Sequence, residues 1–354
     1  MKVGGKIALN SVALWVPEGR EQIPESSCGP ELPGYGLPVL RLTALPVAEI
    51  APPEMAVLAA QSCLKQANAD AADVSMLIHA FTYHQGHDAW PAAHYIADQI
   101  GATSDTVPLM LQQFCNGGLA ALDIATKSLL ADPDAGPVLI TTADRFCPPG
   151  WHRWEKGRPG GFGDGATAAL VTRSGGDLDV ITLLSIAHAA APESERSFRG
   201  DREFTPAPMW NRTSIDSPSI ANMAEGGGAP AGTTEALEAV MAMRQGPRRC
   251  LEQALADAGL DVADPRIRHV VLPRIDQVLM DVMYGGVFDD LVHAEILVFG
   301  TETGHLGPGD AVANLIDLRE GGYLRPGEIV VLVTVGAGWS WSTAVFEAGS
   351  GWPL

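Results

Sequence analysis

One layout occurs twice in this 354-residue chain, and that repetition constrains the fold more than any other feature. In the first half the apolar run VPLMLQQF ends at Cys115, NGGLAALDIATKSLLAD follows with helical spacing, and the strand-like VLITTA opens at Val138. In the second half ILVFG leads through TETGHLGPGD into the helical AVANLIDLREGG, and IVVLVTV opens at Ile329. From Cys115 to Val138 is 23 residues, and from His305 to Ile329 is 24. The following segments also match in kind, GFGDGATAALVTRS in one half and VGAGWSWSTAVFEA in the other, each a Gly-rich turn feeding a β-rich run. Such self-similarity predicts two related α/β halves, roughly residues 1–175 and 176–354, with Cys115 and His305 at equivalent helix starts.

The intervening chain supports that class. PPEMAVLAAQSCLKQANA and PAAHYIADQIGA have helical spacing on either side of the strand-like VSMLIHAFTY. The 39 Gly and 26 Pro suit turns between many short elements. Residues 190–235 are polar and turn-rich, which predicts a cap or substrate-facing loop rather than core.

Composition excludes several functions. With 46% apolar residues the chain can fill a sizeable core. Its 23 Lys and Arg stand against 42 Asp and Glu, a formal charge of -19, so nucleic acid is not expected as a partner. No apolar run is long enough to span a membrane, and MKVGGKIALNSVALWVP lacks a continuous signal-peptide core; a soluble, cytoplasmic chain is expected. The five cysteines include no CxxC pair, so neither a disulfide framework nor a metal site is predicted.

Cys115 is the candidate nucleophile, because the N–H groups and dipole of a helix start favour a thiolate; the alternative is a buried, inert thiol. Cys115 with its small-residue helix, FGDGATAALV, the terminal GAGWSW and DAWPAAHYIADQIGA together resemble the ketoacyl-carrier-protein synthase III family of the thiolase superfamily. The resemblance extends over most of the chain. It implies a thiolase-like α/β fold of two pseudo-duplicated halves in five layers, αβαβα, and a homodimer. It also implies a Cys nucleophile acylated by a phosphopantetheine thioester, on an acyl carrier protein or coenzyme A, with no bound cofactor. By resemblance Cys115 is that nucleophile, the backbone N–H groups of Cys115 and Ala337 form an oxyanion hole, and Gly163, Asp164 and Gly165 shape the turn beneath the site.

Two departures bear on the reaction. Condensing members carry a His where VVLPRIDQVLM has Pro273 and Arg274, and an Asn where Gly304-His305-Leu306-Gly307 stands. Decarboxylative condensation needs two donors on the malonyl thioester oxygen, so their loss undermines carbon–carbon bond formation. Cys115, His305 and Asp310 remain: a thiolate, an imidazole base and a carboxylate to orient it, the set for acyl transfer to oxygen or nitrogen. This resembles the acyltransferase branch found in antibiotic pathways, which moves acyl groups onto a sugar, cyclitol or second carrier. The alternatives are a condensing synthase with rearranged donors and a non-catalytic partner subunit; for Asp310 the alternative is a helix cap.

His84, His87 and Asp88 are candidate pocket residues by family layout, since two His without a third ligand do not make a metal site. Trp151 and Arg158, in WHRWEKGR, are candidates for meeting a pantetheine arm or carrier phosphate, against an ordinary solvated loop. Arg248-Arg249 offers a local basic patch for an acidic carrier protein, against a solvated helix end.

Overall fold

The structure, a computed structural model, describes every residue except 25–36, 38–41, 43, 149–150, 152, 154–160, 176–179, 196–233, 276, 292 and 353–354. Its first strand, β1 (Lys2–Trp15), buries Ile7, Leu9 and Val12. A two-stranded ribbon follows, β2 (Arg20–Gln22) against β3 (Ala44–Pro46). Then come helix α1 (Pro52–Ala67), β4 (Met76–Ala80), α2 (Ala92–Ile100), β5 (Val107–Leu111), α3 (Gly117–Ala131), β6 (Val138–Asp144) and β7 (Gly165–Arg173). The remaining chain repeats the order: β8 (Ile181–Ala190), α4 (Thr234–Ala258), β9 (Ile267–Val271), α5 (Gln277–Tyr284), β10 (Glu295–Leu297), α6 (Asp310–Glu320), β11 (Ile329–Gly336) and β12 (Ser340–Ala348).

Among the described residues, all strands but the ribbon join one ten-stranded sheet, ordered β10-β9-β11-β12-β8-β1-β7-β6-β4-β5. The order is symmetric about the β1–β8 seam. On one side β1 and β7 are antiparallel, as are β7 and β6, while β6, β4 and β5 run parallel; on the other β8, β12, β11, β9 and β10 repeat the pattern. The spacing repeat thus has a physical counterpart in strand order.

Three apolar cores lie between the layers, and the two halves of the sheet share the central one. Along β6, Val138 and Ile140 face the central core with Leu119 and Leu122 of α3, whereas Leu139 faces an outer core with Ala56, Ala59 and Ala60 of α1. Along β11, Val330 and Leu332 join the same central core with Leu315 of α6, and Val331 and Val333 face the other outer core with Leu251 and Ala254 of α4. Strands covered on both faces read as continuous apolar runs, which is why VLITTA and IVVLVTV do not alternate. Each fully buried Leu or Val here contributes about 1.5–3 kcal/mol. The layers are αβαβα, with α3 and α6 in the middle.

Local signals set the helix ends. Pro52 and Pro53 open α1, Glu54 Oε2 accepts the Ala51 N–H at 2.7 Å, and Asn68 ends the helix at φ 50°. In α4 Pro247 sits inside the helix, next to Gly246, where a Cβ would lie 2.3 Å from the Trp341 ring. Two expectations change. Arg248 and Arg249 lie within α4, not at its end. Of the expected 190–235 loop, residue 190 closes β8, Pro192–Ser194 forms a 3₁₀ turn and residues 234–235 begin α4, while 196–233 lie outside the described residues. No helix among the described residues is long and apolar enough to cross a membrane.

Candidate active site

The two helix starts of the central layer meet. Cys115 lies in a 3₁₀ turn, Phe114–Asn116, that enters α3, and His305 precedes the 3₁₀ turn Gly307–Gly309 that enters α6. Close approach requires small residues: a Cβ on Gly118 would fall 2.3 Å from the Pro308 carbonyl oxygen, and one on Gly117 3.2 Å from Pro308 Cβ. The NGG that follows the cysteine is therefore a contact surface for the histidine turn. Phe114 holds φ 48°, a costly conformation for a non-glycine residue, immediately before the thiol.

The end of β11 closes the site from the other half. Thr334 Oγ1 donates to Asn116 Oδ1 at 2.5 Å, and Asn116 Nδ2 donates to Gln113 Oε1 at 2.9 Å. A Cβ on Gly336 would come within 2.9 Å of both Asn116 Cβ and the Gln113 carbonyl oxygen. The GAG turn with Ala337 is thereby seated beside the Cys115 turn.

His305 and Asp310 are buried together. His305 Nδ1 lies 2.7 Å from Asp310 Oδ2, and the Leu306 N–H donates to Asp310 Oδ1 at 2.8 Å. The Cys115 charge also acts on the imidazole, and since Nδ1 is committed to Asp310, Nε2 is the ring nitrogen left for sulfur. Burial pushes the His305 pKa down, but the charges of Asp310 and Cys115, with the hydrogen bond to Asp310, together carry it well above the usual 6.5. Burial pushes Asp310 up, but His305, the Arg274 charge and the Leu306 N–H hold it below the usual 3.8. Asp310 is the first residue of α6, yet its carboxylate serves His305 and Leu306 rather than capping the helix.

The FGDGA segment backs the histidine. Phe162 pairs with His305 as a parallel β-bridge, the His305 N–H donates to the Gly161 carbonyl at 2.8 Å, and the Gly163 N–H donates to the His305 carbonyl at 3.1 Å. Asp164 is fully buried; both its carboxylate oxygens accept from Arg153 Nη2 at 2.7 Å, and they also accept the N–H groups of Ala48 and Phe146 at 2.8 Å.

Other expected residues are placed less centrally. Trp151 packs on Phe146 and Phe162, and the Phe162 ring lies 5.0 Å from that of His305. His84, His87 and Asp88 are exposed; His84 Nδ1 lies 3.7 Å from Asp88, and the His87 ring meets Trp90 at 5.3 Å. Arg158 lies outside the described residues. Arg248 is engaged by Glu252 and Asp290, which leaves Arg249 as the exposed member of that pair. Among the described residues no three His, Cys, Asp or Glu are grouped to hold a metal, and the four described cysteines are free thiols.

Sequence reasoning missed Asp144 at the end of β6. Its buried carboxylate accepts the N–H groups of Thr82 and Tyr83, and burial pushes its pKa up to about 7. A Cβ on Gly307 would lie 3.1 Å from its Oδ2, so this carboxylate lies against the histidine turn. An aspartate closing the apolar VLITTA was the only available signal.

The chain is similar to known proteins in sequence and in fold. The family model 3-oxoacyl-[acyl-carrier-protein] synthase III matches residues 110–188. The β-ketoacyl-[acyl-carrier-protein] synthase III of Pectobacterium atrosepticum is 25% identical over 295 residues, 82% of each chain. The structure of the acyltransferase ChlB3 superposes with a TM-score of 0.80 at 25% identity, covering 98% of this chain and 99% of that one. The synthase III of Aquifex aeolicus has a TM-score of 0.71 at 17% identity, covering 96% of this chain and 99% of that one. The fold and the site turns define a thiolase-fold protein. In sequence and fold the chain is similar to synthase III-type enzymes, which include the acyltransferase ChlB3 and 3-oxoacyl-[acyl-carrier-protein] synthases.

Proposed function

We propose that this protein is an acyltransferase that moves an acyl group from a carrier-protein or coenzyme A thioester, through Cys115, to a hydroxyl or amine acceptor such as a sugar or cyclitol in secondary-metabolite biosynthesis. The observation that carries this reading is the buried His305–Asp310 pair, 2.7 Å from Nδ1 to Oδ2, with half-buried Cys115 on the facing helix start. The Arg274 guanidinium, in the stretch where condensing members carry a His, is bonded to Asn314, Thr303 and Asp317. Each guanidinium nitrogen is thus engaged by the protein. Likeness to ChlB3, an acyltransferase, supports the same class.

In the first half-reaction the Cys115 thiolate attacks the thioester carbonyl, and the N–H groups of Cys115 and Ala337 receive the developing oxyanion. The departing pantetheine thiolate takes the His305 proton. Forming the thioester removes the Cys115 charge that helps to raise His305, so its pKa falls just as a base is needed. Neutral His305 then accepts the acceptor's O–H or N–H proton as that atom attacks the acyl carbon. Cys115 leaves as thiolate, and Asp310 supports the imidazolium. The open edge of β5 leaves Val107 and Leu109 53% and 37% exposed, with Phe114 40% exposed beside the nucleophile; this apolar edge supports a homodimer.

The test is partition of a preformed acyl-enzyme. Given a malonyl thioester it should release no carbon dioxide coupled to acyl consumption, and given a hydroxyl or amine acceptor it should turn over. Stoichiometric decarboxylation with a β-ketoacyl product would replace transfer with condensation.

A further inference from the structure

We propose that Arg274 is a positioning residue for the His305–Asp310 pair: its guanidinium and its main-chain N–H together hold the Asp310 carboxylate in the orientation that fixes His305. The residue follows β9 through Pro273 and is almost wholly buried, at 1% exposure. Each guanidinium nitrogen has a partner. Nε donates to Asn314 Oδ1 at 2.8 Å, Nη1 to Thr303 Oγ1 at 2.6 Å, and Nη2 to the Asp317 carboxylate. Asn314 and Asp317 stand four and seven residues beyond Asp310, on the same face of α6. Thr303 stands two residues before His305, and its hydroxyl also bonds the Gly304 carbonyl at 3.0 Å. One cation therefore ties the segment entering His305 to the helix that Asp310 begins.

The backbone of Arg274 completes the clamp. Its N–H donates to Asp310 Oδ2 at 2.8 Å, the oxygen that also holds His305 Nδ1, while Oδ1 takes the Leu306 N–H. Two carboxylate oxygens with three donors leave little freedom to rotate. Room for the arginine stem is built in, since a Cβ on Gly300, at φ 102°, would lie 2.8 Å from Arg274 Cδ. A buried ion pair is a poor device for stability alone, because both charges lose hydration. Set against Asp310, the same cation favours the ionised carboxylate, and Arg274 is among the influences holding that group down.

The kinetic part of the test rests on the acyl-transfer reading; the spectroscopic part does not. Three variants of the full chain are needed: Arg274→Lys, Arg274→Met, and Arg274→Met with Asp317→Asn, which removes the carboxylate left unpaired. The first readout is the downfield proton resonance of His305 Nδ1–H in the free protein, assigned by its loss in His305→Ala. The second is single-turnover breakdown of the acyl-enzyme against pH. In Arg274→Met the resonance should move upfield and broaden. Breakdown should slow roughly 10²-fold, the cost of a misplacement near 1 Å. Its acidic limb should shift to higher pH, because without the nearby cation the coupled His305–Asp310 pair takes up its proton more readily. Arg274→Lys should recover most of all three, and the double variant should fold yet keep the defects. A double variant with wild-type resonance, pH profile and breakdown rate would overturn the proposal and make Arg274 structural only. If the wild type forms no acyl-enzyme, acyl transfer fails as a reading, and the resonance alone decides on Arg274.

Discussion

Gly163→Ala should displace the histidine through the chain that carries it. A Cβ at Gly163 would lie 1.9 Å from the Thr303 carbonyl oxygen and 2.8 Å from Pro46 Cγ and Cδ. Contacts below 3.0 Å are essentially never seen for a real Cβ, so one wall must retreat by more than about 1 Å. The Pro46 side is pinned by its carbonyl, which accepts the Asp164 N–H at 2.9 Å. The Thr303–His305 segment is then the wall that yields, and the 3.1 Å bond from the Gly163 N–H to the His305 carbonyl moves with it. Overpacking of this kind costs about 1–3 kcal/mol of stability, and a displacement near 1 Å at a reacting group costs roughly 10²-fold in rate. Thermal unfolding and single-turnover acyl-enzyme breakdown measure the two effects. An alanine variant with normal stability but a large kinetic loss would still agree, since the loop can absorb the strain. Normal breakdown with a stability loss would refute the coupling between the FGDGA turn and His305.

Further outcomes are expected. Cys115→Ala should acquire no acyl adduct from a panel of acyl thioesters, as read by peptide mass. His305→Ala should slow acyl-enzyme breakdown roughly 10²- to 10⁴-fold, the usual range for a general base, measured by single-turnover quench. Stability should respond to pH through two buried groups that oppose each other. Burial pushes His79 from 6.5 down to about 4, so its contribution is present above 6.5 and lost as pH falls towards 4. Burial pushes Asp144 from 3.8 up to about 7, so its contribution is present below 3.8 and lost as pH rises through 7. Between about pH 4.5 and 6 the two slopes cancel. Relative to wild type, Asp144→Asn should therefore gain stability with rising pH by about 1.4 kcal/mol per unit, and His79→Gln should lose it at that slope, in urea unfolding at several pH values.

Much of this arrangement was legible in the sequence because it is local. The nearly equal intervals behind Cys115 and His305 express one strand–turn–helix unit used twice, and α3 and α6 occupy equivalent places in the central layer. Asp310, five residues past His305, lies within reach across a single 3₁₀ turn. Long-range placements left no such trace. That the Arg274 main chain would reach Asp310, or that Gly163 would back onto Thr303, depends on how β9 and β7 are brought beside α6 by the sheet. Asp144 was hidden for the same reason, since the N–H groups it accepts come from the turn after β4. His84, His87 and Asp88 were singled out for residue type and family layout, but their loop presents them to solvent.

The most direct test of an acyl relay from Cys115 to an acceptor through His305 is a time course of intact protein mass after acyl-thioester loading and acceptor addition. Wild type should gain one acyl mass and lose it when a hydroxyl or amine acceptor is added, with the acyl group recovered on that acceptor. His305→Ala should gain the mass and retain it, and Cys115→Ala should never gain it. Acyl transfer by Cys115→Ala at the wild-type rate, or prompt clearance of the adduct by His305→Ala, would contradict the relay.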